Sequence, residues 1–174
     1  MGTRITMIMV MSANGVVAQK QIQNSFEWNS REDREQFLER IRSIGAAIMG
    51  ANTFRSIGGN PYEGIEFFVL TSHPDKFPKH DRVTFIQGDV RDIYLQLEDK
   101  GIKKIALLGG PKTNTQFIEH KLVHDIYLTV EPLVMPEGMH IFDNPSLKMS
   151  LVLESVKTLN KSGTILLHYL FKRN

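Results

Sequence analysis

The sequence predicts one α/β domain spanning residues 1–174, built on a doubly wound, mostly parallel sheet with antiparallel strands at its C-terminal edge. Short apolar runs alternate with helix-patterned stretches through the first two-thirds of the chain. The chain then closes on two strand-like runs, "LVLESVKT" and "TILLHYLF", around a polar turn that contains glycine. At 174 residues, 41% hydrophobic and 23% charged, it is long enough to bury a real core as one domain.

The elements follow in order. Ile5 to Met11 is an apolar run of strand length, followed by "SANGVVA". Ser30 is placed to cap a helix that runs to a stop at Gly45. Ala46 to Met49 is a second strand, and "ANTFRSI" a short helix closed by Gly58 and Gly59. Ile65 to Leu70 and Val83 to Ile86 are strand-like. Between Asp89 and Lys100, apolar residues at 90, 93, 94 and 97 have helical spacing, and Gly101 ends the pattern. A strand at 104–108, a helix at 111–119 and a strand at 124–131 complete the alternation.

Composition excludes several functions. There is no cysteine, which removes disulfides, thiol nucleophiles and thiolate metal sites together. A net charge of +2 without a basic, aromatic-interleaved run gives no reason to expect nucleic-acid binding. No apolar run has the length of a membrane span, and the N-terminal residues lack an apolar signal core, so the expected location is cytoplasmic. The six histidines are scattered. His120 and His124 are four apart, but 123–130 reads as a strand and no carboxylate has the HExxH spacing, so no metal is expected.

Two features carry chemistry. The first is a pair of strand-to-helix turns with glycine: Gly50 between "AAIM" and "ANTF", and Gly109-Gly110 between "IALL" and "PKTNTQF". Glycine lets backbone N–H groups approach a phosphate, and Pro111 fits the first turn of the helix that follows. Tight turns needing positive φ are the alternative for each. The second is Asp33. It stands at N3 behind Ser30, where its carboxylate can reach back to the cap. It also shares one helical stripe with Phe37, Ile41 and Ile44, at the edge of the buried face and just after Trp28. Capping and function remain equally open on periodicity alone.

Trp28, Asp33 and Phe37 in a W-x4-D-x3-F pattern, followed by "IMGANTFRSIG", "VLTS", "LLGG" and "IYLT", resemble dihydrofolate reductase over residues 5–131. From Gly109 to Phe142 the chain is more similar still to the reductase domain of riboflavin biosynthesis, the C-terminal part of a bifunctional deaminase-reductase, which shares that fold. The matching residues are Gly109, Gly110, Pro111, Phe117, Leu122, Val123, Asp125, Pro132, Gly138 and Phe142.

The resemblance implies a dihydrofolate reductase-like sheet and hydride transfer from NADPH. Gly109, Gly110, Pro111 and Lys112 would lie along the cofactor, Gly50, Asn52 and Thr53 would take a phosphate, and Thr71 and Ser72, with His73, would lie near its adenosine. Ser12 to Val17, including Gly15, would be a flexible loop beside the nicotinamide. Asp33 would be the catalytic group, holding an aminopyrimidine edge together with Trp28, Phe37 and Thr129. The substrate implied first is a ribosylaminopyrimidine phosphate; dihydrofolate is the alternative, and a non-catalytic nucleotide-binding protein on the same fold is a third reading. Relatives of the riboflavin type dimerise through C-terminal strands, so a homodimer is expected. Two departures bear on specificity. Ala51 stands where folate reductases commonly place an arginine for the cofactor 2′-phosphate, leaving Arg55, Lys76 or His73 for that role. Ile65 stands where both families usually carry an arginine, and a neutral side chain cannot clamp a glutamate tail. Lys112 and Arg55 are the cations that would serve a ribose phosphate. With no cysteine for a zinc deaminase domain, the chain is expected to be the lone-reductase form.

Overall fold

The computed structural model describes residues 2–144 and 146–172. Its frame is one eight-stranded sheet. In chain order the strands are β1 (Arg4–Ser12), β2 (Ala46–Gly50), β3 (Glu66–Leu70), β4 (Val83–Ile86), β5 (Lys104–Leu107), β6 (Val123–Glu131), β7 (Leu151–Thr158) and β8 (Ile165–Phe171). Four helices connect them: α1 (Arg31–Ile44), α2 (Ala51–Ser56), α3 (Val90–Asp99) and α4 (Pro111–Glu119). The spatial order is β4-β3-β2-β5-β1-β6-β8-β7. The first six strands pair in parallel, and β8 pairs antiparallel with both β6 and β7.

Strand alternation sorts side chains between two layers. Ile48 of β2, Phe68 of β3 and Met7 of β1 pack beneath α3 and α4, with Ile93, Leu97 and Phe117. Their neighbours Ala47, Met49, Phe67 and Val69 face the other way, against Ile41 of α1 and Phe54 of α2. Both faces of the sheet are therefore covered over β1, β2, β3 and β5, which accounts for apolar strands that show no polar alternation. The expected elements are all present, with ends moved by a residue or so. β5 ends at Leu107, whose parallel pairing with Ile48 is closed by the Leu108 N–H donating to the Ile48 carbonyl.

The described residues of 132–150, which the sequence left unassigned, form a long connection without a helix or strand of their own. It crosses one face of the sheet, packing Ile141, Phe142, Leu147 and Met149 on the core. Its Met139 bridges to Ala18, which ties it to the segment after β1. Ile65 is fully buried among Phe67, Val69 and Ile41, so the side chain at this position is part of the core.

Candidate functional site

The C-terminal ends of β1, β2, β3 and β5 open into a cleft of about 760 Å³, where open parallel sheets place their ligands. Four strand spacings separate β3 from β6, or about 19 Å at 4.8 Å each. The cleft is thus long enough for an extended ligand lying across the strand ends.

At one end stands Asp33, in the first turn of α1 and only 3% exposed. Ser30 caps that helix by accepting the Asp33 N–H at 3.2 Å. The Asp33 carboxylate does not reach back to the cap. The Ser30 N–H and hydroxyl instead donate to Glu131 Oε1, at 2.8 and 2.7 Å, from the end of β6. A residue about a hundred positions away thus supplies the reciprocal half of the capping box, and Asp33 is free for other contacts. Its Oδ2 accepts from Asn29 Nδ2 at 2.6 Å and its Oδ1 from Gln36 Nε2 at 2.9 Å. Gln36 also leans on the Thr129 hydroxyl, which is fully buried in β6.

Burial pushes the Asp33 carboxyl above its ordinary pKa. Hydrogen bonds from Thr129, Gln36 and Asn29 oppose that rise without cancelling it, and the nearby Glu131 charge adds to it. Both carboxamides turn their NH2 groups to Asp33, so Asn29 Oδ1 and Gln36 Oε1 are left buried without partners. Beside Asp33, Phe37 meets Phe26 and Tyr62 edge to face, at centroid distances of 5.8 and 5.9 Å. This makes an apolar wall for a flat ring. Burial pushes the Tyr62 hydroxyl up to about 12, so it stays protonated.

The two glycine turns meet in the middle of the cleft. The Gly50 N–H donates to the Gly109 carbonyl at 2.8 Å, closing one turn on the other. Positive φ explains only Gly109, at +101°. Gly50 and Gly110 have φ of −77° and −76°, so another constraint acts there. A Cβ on Gly50 would lie 2.8 Å from Thr113 Oγ1, and one on Gly110 would lie 3.3 Å from Thr53 Oγ1. Each glycine therefore makes room for a threonine of the opposite turn. The result is a backbone floor, with the α4 N–H groups opening beside it.

The other end carries the cations. Arg55 lies 4.9 Å over the Phe77 ring, and its Nη1 donates to Asn52 Oδ1 at 3.0 Å. Phe77 stacks on Phe85 of β4 at 4.5 Å, which anchors Arg55 towards the far edge of the sheet from Asp33. His73 and Lys76, which follow β3, line the cleft as well, and Lys112 does so beside the Gly109–Gly110 turn.

Of the residues singled out in the sequence, Asp33, Phe37, Gly50, Asn52, Thr53, Thr71, Ser72, Gly109, Gly110, Pro111 and Lys112 all line this one cleft. Thr129 and Trp28 stand off its wall, Thr129 behind Asp33 through Gln36. Ser12 and Gly15 are also off the wall, while the following Val17 and Ala18 are on it. The segment expected as a flexible loop is tightly tied. Ser12 N–H and Oγ bond Val16 O and Asn14 Oδ1, Asn14 exchanges two bonds with Met135, and Val16 is buried. The connection after β6, invisible as a partner in the sequence, holds it down. Asn29, Gln36 and Glu131 were missed. Gln36 had a faint signal, being three residues after Asp33 on the same helical face; the other two depend on tertiary contacts. Among the described residues no three of His, Cys, Asp and Glu gather as a metal site. His120 and His124 are separated, one Nδ1 beside the Gln116 carbonyl and the other accepting the Ile5 N–H.

A family model described as the RibD C-terminal domain matches residues 63–165, more than half of the chain. The uncharacterized protein YwjB of Bacillus subtilis is 22% identical over 97% of this chain and 98% of its own length. A bifunctional dihydrofolate reductase-thymidylate synthase of Paramecium tetraurelia is 26% identical over 71% of the chain and 25% of its own. Among solved structures, a Shewanella sp. PV-4 protein named for riboflavin biosynthesis superposes with TM-score 0.84 at 20% identity, covering 98% of this chain and all of its own. Dihydrofolate reductase of Enterococcus faecalis, solved with NADP(H), superposes with TM-score 0.72 at 21% identity, covering 98% and 97%. At these identities the superpositions establish a shared dihydrofolate reductase-like fold.

Proposed function

The chain belongs to the RibD C-terminal domain family, and on that premise we propose that it is a nicotinamide-dependent reductase of an aminopyrimidine-type ring. One observation carries the reading: a buried carboxylate, Asp33, and a glycine-built backbone floor occupy the same cleft.

The floor fits a dinucleotide, because a side chain at position 50 would clash with Thr113, one at position 110 would crowd Thr53, and backbone donors stand open at the start of α4. Gly109, Gly110 and Pro111 would pass the pyrophosphate, Asn52 and Thr53 would meet it from α2, and Thr71 and Ser72 would flank the adenosine. Arg55, Lys76 and Lys112 supply positive charge for a 2′-phosphate, which favours NADPH. Bound there, the cofactor supplies a hydride to an electron-poor ring-bearing substrate. The chain's own work is positioning. Asp33 accepts two hydrogen bonds from the amino and ring N–H of the substrate, while Asn29, Gln36 and Thr129 hold its carboxylate at the correct angle. Phe37 and Tyr62 keep the ring flat and exclude water. Burial raises the Asp33 pKa, so this carboxylate takes up a proton more readily than an exposed one would.

More specifically, the proposed substrate is a ribosylaminopyrimidine phosphate of the riboflavin route, ahead of dihydrofolate. Family membership supports this order; Ile65, packed in the core away from the cleft wall, does not bear on it. A homodimer through β7 belongs to the same reading: this edge strand is exposed along its whole length and presents Leu151, Leu153 and Val156. The test is NADPH oxidation, followed by loss of nicotinamide absorbance, with both substrates offered side by side. Turnover of dihydrofolate alone would reverse the order. Cofactor binding without turnover of either would favour the non-catalytic reading.

A further inference from the structure

The cleft is electrically two-ended. Among the described residues, the cations on its wall are Arg55, Lys76 and Lys112, with His73 beside them; all follow the ends of β2, β3 and β5. On the Asp33 side, beyond the aromatic wall of Phe26, Phe37 and Tyr62, the polar lining is Gln21, Gln23, Asn24, Ser25 and Asn29. These residues are continuous with the carboxylate, since the Ser25 carbonyl accepts the Asn29 N–H and Asn29 bonds Asp33.

Several polar groups on that wall have no protein partner among the described residues: the Gln21 amide, the Ser25 hydroxyl and the Asn24 NH2. Asn24 uses only its oxygen, to cap the turn at Phe26, and Gln23 is tied to Gln19 and Glu27. Cations close in sequence are not on the wall. Lys20 is exposed, and Arg34 is committed to the carbonyls of Asn29 and Ser30. The fixed charge on this part of the wall is the Asp33 carboxylate; the exposed Glu27, like Lys20, is off it.

We infer that this mouth binds the sugar of the substrate and does not read a phosphate: the enzyme recognises an uncharged, hydroxyl-bearing substituent on the aminopyrimidine ring. Neutral amides and hydroxyls both donate and accept, which suits a chain of sugar hydroxyls. A phosphate here would meet the Asp33 carboxylate without an arginine or lysine on this part of the wall to pair with, and phosphate recognition depends on such charge-assisted bonds. The inference rests on the reductase reading for the ring and deepens it for the substituent.

The experiment measures binding by calorimetry with NADP+ present, using three probes: the ribosylaminopyrimidine 5′-phosphate, the same riboside without phosphate, and the bare aminopyrimidine. The two ribosides are expected to bind within about threefold of one another, and the bare ring about tenfold more weakly, the effect of one or two neutral hydrogen bonds. Gln21→Ala and Asn24→Ser, the latter keeping a capping oxygen, should narrow the gap between riboside and ring. A loss of about a hundredfold on removing the phosphate would overturn the inference. So would a bare ring that binds as well as the riboside, or a Lys20→Gln variant that selectively weakens the phosphorylated probe. NADPH oxidation is followed in parallel. The expected binding pattern without turnover sinks the reductase reading and leaves the sugar site standing; turnover with strict phosphate dependence does the reverse.

Discussion

Replacing Asp33 by Asn separates the two roles that its position allows, because they predict opposite changes in stability. If the side chain capped α1, its loss would cost about 1 kcal/mol. The structure gives capping to Ser30 and Glu131 and leaves Asp33 a buried charge held by two amides. The new carboxamide puts one NH2 against a donor, which Asn29 relieves by turning over and presenting its unpartnered Oδ1. The hydrogen bonds survive and the buried charge is gone, so stability at neutral pH should hold or rise by about 1 kcal/mol. The pH dependence has a definite sign. The folded pKa lies above the unfolded one, so the unfolded chain ionises first as pH rises. Wild-type stability from this group is full below the unfolded value, about 3.9, and is lost as pH climbs through the folded value. The Asp33→Asn variant has no such fall. Turnover moves the other way. Losing a charge-assisted contact to the ring forfeits about 2–4 kcal/mol, or roughly thirtyfold to a thousandfold in kcat/KM, while NADPH affinity stays put. Urea titrations at several pH values and nicotinamide absorbance read both sides. A variant destabilised by about 1 kcal/mol or more with full turnover would refute this assignment and restore capping as the role of Asp33.

Gly110→Val should cost NADPH affinity about a hundredfold or more in a folded protein, since its Cβ meets Thr53 Oγ1 at 3.3 Å and its methyl groups enter the cleft; unchanged cofactor fluorescence titration would remove that turn from the cofactor site. Glu131→Gln should lower stability by about 1–3 kcal/mol in urea unfolding, because Oε1 accepts from Ser30 N and Oγ and Oε2 from Thr164 Oγ1 within a site only 3% exposed. Val156→Lys, at 60% exposure on β7, should leave the fold intact and shift a dimer to monomer in sedimentation; a monomeric wild type at the same concentration would end the dimer proposal. Acid should act on Asp125. Burial raises its carboxyl, but bonds from His168, Thr6 and Arg4 outweigh that and hold it low. It contributes stability above its unfolded value that is lost as pH falls through its folded one, and Asp125→Asn should flatten that acid limb.

Local sequence rules reached the frame because each element here carries its own signals. Ser30 and Gly45 mark both ends of α1, Asp89 and Gly101 those of α3, and Pro111 the start of α4. The same rules are silent on the 132–150 connection. Its role is to hold another segment through Met135–Asn14 and Met139–Ala18, contacts that span more than a hundred residues and have no periodicity. The flexible loop at 12–17 was implied by the family resemblance, and the bonds that tie this segment come from elsewhere in the chain.

The site divides in the same way. Asp33 was legible because a carboxylate on an apolar stripe violates a local pattern, and such violations mark function or strain. What sets its chemistry was not legible. Asn29 lies in a turn before the helix, Thr129 and Glu131 come from a strand whose alternation shows only that they face one side, and Glu131 has the reciprocal capping role that spacing assigned to Asp33. The glycines divide similarly. Composition indicated a close approach at positions 50, 109 and 110, and the structure shows that the first thing to approach is the opposite turn, through Thr113 and Thr53. That packing is a requirement for a ligand floor as well as a substitute for one. A floor made of two strand ends keeps its shape only if the turns lock together, and a side chain at either glycine would both part the turns and block the cleft. The structural and functional readings of those glycines are therefore one constraint, which sequence spacing cannot resolve into two.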